Sequence, residues 1–237
     1  MTTAEQVPSR ATGEHHHDHR DVTGGWLRPA VFGVTDGLVS NTALIAGVAA
    51  ANVSTHNVIL TGLAGLVAGA FSMATGEYVS VASQAELTHA EIEKAEILRV
   101  PKAEEAELAA IYRERGVDAE TAKEVARQLS RDPDKVWKVH AREELGVDPD
   151  DLPSPWTAAG SSFLAFCLGA LVPLLPFLLG ATTLLASVLI AGAGLFAAGA
   201  LVTRFTTRHW LYAGTRQLAL GGAAAAVTYA IGSAVGS

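Results

Sequence analysis

Charge is scarce in this chain. Only 17% of its 237 residues are Asp, Glu, Lys or Arg, and residues 157–203 contain none at all. So uneven a distribution is not that of an ordinary soluble domain. Cysteine is nearly absent too: Cys167 is the single thiol, which excludes an intrachain disulfide and leaves it the role of a small apolar packing residue. No GxxxxGK[ST] loop occurs, which argues against ATP-driven pumping. The first 25 residues are polar and lack an apolar core, so no cleavable signal peptide is expected and the first span is expected to direct its own insertion.

What is present is apolar sequence in long runs. Five runs are each long enough to cross a bilayer, at roughly 29–52, 57–82, 157–179, 181–203 and 211–234. The spans so drawn hold no His and no nucleophile–base pair, so an intramembrane hydrolase or lipid-modifying enzyme is not expected. All 17 Lys and Arg fall in three places: Arg10, Arg20 and Arg28 before the first run, eleven residues between the second and third, and Arg204, Arg208 and Arg216 around the join of the fourth and fifth. With five spans these places share one side of the membrane. The positive-inside rule then puts the N-terminus and the long insert in the cytoplasm and the C-terminus outside.

The insert, residues 83–153, is hydrophilic and reads as helical. The second span is expected to run on through "SQAELTHAEIEKAEILRV" until Pro101 stops it. "KAEEAELAAIYRERG" forms a short helix with Gly116 as its stop, Asp118 caps the next, and Asp132-Pro133 starts one that ends at Gly146. The insert carries 18 acidic and 11 basic residues, so the whole chain's net charge of −7 is concentrated there. Glu93 and Glu96 share a helix face, Glu104 and Glu107 repeat that spacing after Pro101, and His140 and Glu144 are four apart on a later helix. If the helices fold back, the three pairs can converge on a first-row divalent metal. A solvated acidic bundle would have the same spacing.

Two acidic side chains lie inside the spans, Asp36 and Glu77. Counted from the cytoplasmic ends, Asp36 sits about 10 Å deep, Glu77 about 8 Å and Met73 about 14 Å, at 1.5 Å per residue. Carboxylates are costly in hydrocarbon and mark function there. Two of them with a thioether at matched depth form a coherent cation path, and the soft sulfur favours a transition metal over Mg²⁺ or Ca²⁺. Met73 taken alone would read as gap-filling packing. Gly62, Gly65, Gly69 and Gly76 mark one side of the second span, and Gly232 and Gly236 form a GxxxG pair in the fifth; both allow close helix contacts.

The stretches "DGLVSNTALIAGVAAA", "SMATGEYVSVASQAEL" and "HAREELGVDPDDLPSPWTAAGSSFLAFCLGALVPLLPFL", in that order, resemble the vacuolar iron transporter family, in a bacterial-type member. The resemblance covers about residues 25–235. It implies an all-α membrane protein with five transmembrane helices and a cytoplasmic helical metal-binding insert between helices two and three. It implies a homodimer that moves Fe²⁺, and Mn²⁺ in some members, out of the cytoplasm in exchange for protons. The path would follow the first two helices at the dimer interface, lined by Asp36, Met73 and Glu77. The insert's ligands would be Glu93, Glu96, Glu104 and Glu107, with His140 and Glu144 from its last helix. Some members carry methionines in that last helix, where this chain reads "KVHAREE", and many carry Asn where Thr35 precedes Asp36.

The expected organisation is a His-rich disordered cytoplasmic tail over 1–27, the first two spans over 28–82, the metal-binding insert over 83–153 and three further spans over 154–237. In the tail, His15, His16, His17 and His19 beside Asp18 offer loose metal capture. Expected partners are divalent metal ions, protons, the lipids of a bacterial inner membrane and a second copy of the chain, but no nucleic acid and no prosthetic group. A membrane-tethered metal buffer or sensor is the alternative; it would need the insert's acids but neither Asp36 nor Met73.

Overall fold

The computed structural model describes residues 25–97, 101–144, 146, 148–149, 151–204 and 207–236, so the His15–His19 tail lies outside it. Side chains at 91–97, 101–102, 133–136 and 144 also lie outside it. Every regular element among the described residues is an α-helix: α1 (Leu27–Ala50), α2 (Thr55–Ile97), α3 (Pro101–Glu114), α4 (Ala119–Leu129), α5 (Pro133–Glu144), α6 (Pro155–Leu178), α7 (Leu184–Val202) and α8 (Trp210–Val235). Five of them, α1, α2, α6, α7 and α8, are long and apolar enough to cross a membrane. These match the five runs read from the sequence, with ends shifted by a few residues.

Local chemistry explains the boundaries. Between α1 and α2 the chain turns through Asn52, whose φ of 55° is a conformation that Asn tolerates better than most residues. α2 has 43 residues, about 65 Å at 1.5 Å per residue, about twice the thickness of a bilayer's hydrocarbon core. It therefore continues well beyond its span. Pro101 does not merely end that helix: it is the first residue of α3, where its fixed φ and missing N–H suit a helix start. α3 ends at Glu114 and the chain turns through Gly116, with φ 95°. Asp118 caps α4, its carboxylate accepting from the backbone N–H groups of Glu120 and Thr121 at 3.2 and 3.1 Å. A hydrogen bond from the Thr121 side chain, followed by those from the backbone N–H groups, holds its pKa below the usual carboxylate value. Ser154 caps α6, which opens on Pro155.

α1 is the central span and touches all four others. Lipid offers helices no hydrophobic reason to associate, so backbones must come close enough for dispersion to hold them. A Cβ at Gly33 would stand 2.6 Å from the carbonyl oxygen of Ser162, and one at Gly37 would meet the carbonyl of Phe166, so α1 and α6 touch backbone to backbone. Gly169 returns the contact from α6, against the carbonyl of Val34. The GxxxG pair of α8 works within the chain: Gly232 lies against the carbonyl of Gly47, and Gly236 against Ala51. Interhelical side-chain bonds add to this. Ser187 of α7 donates to the Pro173 carbonyl at 2.6 Å, and Thr228 of α8 to the Ala43 carbonyl at 2.7 Å. Cys167 packs beside the Ala70, Phe166 and Ala170 cluster as a free thiol.

The insert has its own small core. Leu108 and Ala109 of α3 meet Ala126 of α4, with Tyr112, Leu129 and Val139 packed around them. Glu143 of α5 ties that helix to α3: it accepts from the Tyr112 hydroxyl at 2.9 Å and pairs with the Arg115 guanidinium. α5 also touches α2, so the insert folds back on the long helix.

Candidate cation site between the first two helices

Asp36 and Asn41 on α1, and Met73 and Glu77 on α2, line one cavity of about 390 Å³. The helical repeat explains the arrangement. Residues 36, 40, 41 and 44 recur along one side of α1, and residues 65, 69, 72, 73, 76 and 77 along one side of α2. Phe166 of α6 forms the floor, packed where Gly69 has no side chain. Both membrane carboxylates and the membrane thioether singled out by depth thus face the same space. Each of the three is half-buried.

Glycine makes the room. Three glycines of the α2 stripe pack against neighbours: Gly62 against Leu174 and Ile45, Gly65 against Leu44 and Asn41, Gly69 against the Phe166 ring. The fourth, Gly76, has nothing within 4 Å of where a Cβ would stand, and it sits between Met73 and Glu77 on the cavity wall. Met73 has two neighbours of different kinds, the apolar cluster around Phe166 on one side and the cavity on the other. The described residues leave one flank of the cavity open. Ser40, Ser72 and Gly76 line it yet are exposed, and the apolar ring of Phe32, also in the lining, is 60% exposed.

Asn41 was not singled out by sequence. It is 2% exposed, and its Nδ2 donates to the Ala170 carbonyl of α6 at 2.6 Å. Its Oδ1 has no hydrogen-bond partner among the described residues. An interhelical bond in a membrane contributes only about 0.6 kcal/mol on average, whereas a buried polar atom left unpaired costs about 1–3 kcal/mol. The tie to α6 therefore does not account for an amide at this position. The available signal was a polar residue five places beyond Asp36 in an apolar span.

In the insert, His140 Nδ1 lies 3.5 Å from Glu104 Oε2, with the imidazole buried and the carboxylate partly so. The fold thus brings α3 and α5 together at two of the residues expected to bind metal. Glu107 is exposed on α3. Glu93 and Glu96 lie on the far end of α2 and Glu144 on the last turn of α5, with side chains outside the described ones. Among the described residues no group of three or more His, Cys, Asp or Glu stands ready to hold a metal.

Comparison with known proteins gives a consistent set of relatives. A model of the VIT family matches residues 27–233. Vacuolar iron transporter 1 of Oryza sativa subsp. japonica is 33% identical over 227 residues, covering 93% of this chain and 90% of that protein. Vacuolar iron transporter 1 of Arabidopsis thaliana is 31% identical over 234 residues, covering 96% and 94%. A vacuolar iron transporter of Acanthamoeba castellanii is 45% identical over 155 residues, which span 65% of this chain and 56% of that protein.

Proposed function

This chain belongs to the VIT family, and from that membership we propose that it is a transporter of divalent transition metal, Fe²⁺ and also Mn²⁺, carrying the ion out of the cytoplasm in exchange for protons. It is an integral membrane protein with five spanning helices. The relatives' names supply iron as the cargo. The observation that carries the reading is the single cavity lined by Asp36, Met73 and Glu77. Two carboxylates compensate a divalent charge, and the thioether adds a donor that Mg²⁺ and Ca²⁺ use poorly. Carboxylates in a low-dielectric site that lose a bound cation relieve their desolvation by taking up protons. Metal and proton then compete for one site, the minimal chemistry of exchange.

The N-terminus and insert face the cytoplasm in this reading, since every Lys and Arg falls on that side. The insert gathers metal there through Glu93, Glu96, Glu104 and Glu107, with His140 and Glu144 from α5. The open flank of the cavity supports a homodimer, in which a second copy would face the first across α1 and α2. A membrane-tethered buffer would give no reason for both intramembrane carboxylates to share a cavity with Met73.

Reconstitution tests the proposal. Purified protein in liposomes should carry Fe²⁺ and Mn²⁺, and Asp36→Ala should fall to the level of protein-free vesicles while keeping its melting temperature. Wild-type flux from folded Asp36→Ala protein would assign transport to some other route.

A further inference from the structure

We propose that Asn41 Oδ1 is itself a cation ligand, a neutral oxygen that receives the metal from the carboxylates and sets how fast it leaves. The inference rests on the transport reading above and adds a residue to it. Three observations carry it. The amide is 2% exposed and lines the same cavity as Asp36, Met73 and Glu77. The Ala170 carbonyl can only accept, so its 2.6 Å bond places the NH₂ group toward α6 and leaves the oxygen on the other side. That oxygen has no partner among the described residues, and it faces α2 beside Leu44 at Gly65, 3.1 Å from where a Cβ would be, a position where α2 offers no side chain to pair with it.

Position gives the role. Asn41 is five residues beyond Asp36, or about 7.5 Å along the helix. Metal–oxygen bonds are about 2.0–2.6 Å long, so one ion does not bind both groups at once. They are successive stations. The carboxylate station binds through charge. The amide station offers a carbonyl oxygen, a donor suited to Mn²⁺ and similar ions, without a charge to trap them. Conduction needs sites that are attractive enough to enter and weak enough to leave, and a neutral ligand after two charged ones meets that need.

Two variants test the role, with Mn²⁺ as the probe. Asn41→Leu keeps the volume and removes the oxygen. Equilibrium Mn²⁺ binding in detergent should stay near wild type, because the carboxylates and Met73 remain, while maximal flux per folded molecule should fall by about tenfold or more. Asn41→Asp keeps an oxygen and adds a charge: Mn²⁺ should bind about tenfold more tightly, and maximal flux should again fall. A purely structural tie to α6 would lower the melting temperature of both variants and change neither Mn²⁺ affinity nor flux per folded molecule. Wild-type maximal flux in Asn41→Leu, or unchanged Mn²⁺ affinity in Asn41→Asp, overturns the role of Asn41. Should Asn41→Leu fail to fold, the Asn41→Asp affinity decides. No Mn²⁺ or Fe²⁺ flux from the wild-type protein would overturn the transport reading instead.

Discussion

A carboxylate placed at the centre of a membrane span costs about 2.5–3.5 kcal/mol on insertion scales, which is why Asp36 and Glu77 stand out from their sequence. Their depth, and that of Met73, followed from counting residues, and all three line one cavity. Asn41 did not stand out. An uncharged amide in a span has many ordinary explanations, and its anchoring partner, Ala170, is 129 positions away. In the insert, helix spacing paired Glu104 with Glu107 and His140 with Glu144, and only the fold sets His140 3.5 Å from Glu104. Spacing could not show that Glu107, three residues on, turns toward solvent. If these acids collect metal for the cavity, changing Glu93, Glu96, Glu104 and Glu107 to Gln should weaken metal binding by about tenfold or more while preserving helix shape. Transport should then slow at low metal concentration and recover at high concentration. Calorimetry and flux on the full chain would check this; unchanged affinity would leave those acids a solvating role only.

Elements were legible where a local signal fixed them. Asp118, Pro133 and Gly116 mark ends that need only neighbouring residues to explain them, and α2 runs past its span because nothing between Thr55 and Ile97 breaks it. The glycine stripes were legible as packing but not as to partner. Gly232 and Gly236 could have served another chain; they meet Gly47 of α1 and Ala51 just past its end because α8 lies along that helix. The exposed flank of α1 and α2 beside the cavity meets no such partner among the described residues, with Phe32 and Ser72 exposed there. If a second copy covers it, Phe32→Cys and Ser72→Cys in a Cys167→Ser background should each form a crosslinked dimer in membranes. Ala46→Cys and Ala70→Cys, at positions buried within the chain, should not. A transport-active protein that stays monomeric at both exposed positions would remove the dimer from the account.

The molecule as a whole combines an acidic helical insert with a membrane bundle whose two intramembrane acids share one cavity. Charge alone draws that division in the sequence, because charge is costly in lipid and free in water. The shape of the cavity was not, since it depends on Phe166, on the glycines of α2 and on the close approach of α1 to α6. The central claim is that metal and protons exchange on the carboxylates of that cavity. The most direct measurement follows lumenal pH and Mn²⁺ together in proteoliposomes with an acidic interior. The account predicts that added external Mn²⁺ enters, that the lumen becomes more alkaline as it does, and that Asp36→Ala protein does neither. Mn²⁺ entry at the same rate with and without the pH gradient, leaving lumenal pH unchanged, would contradict it.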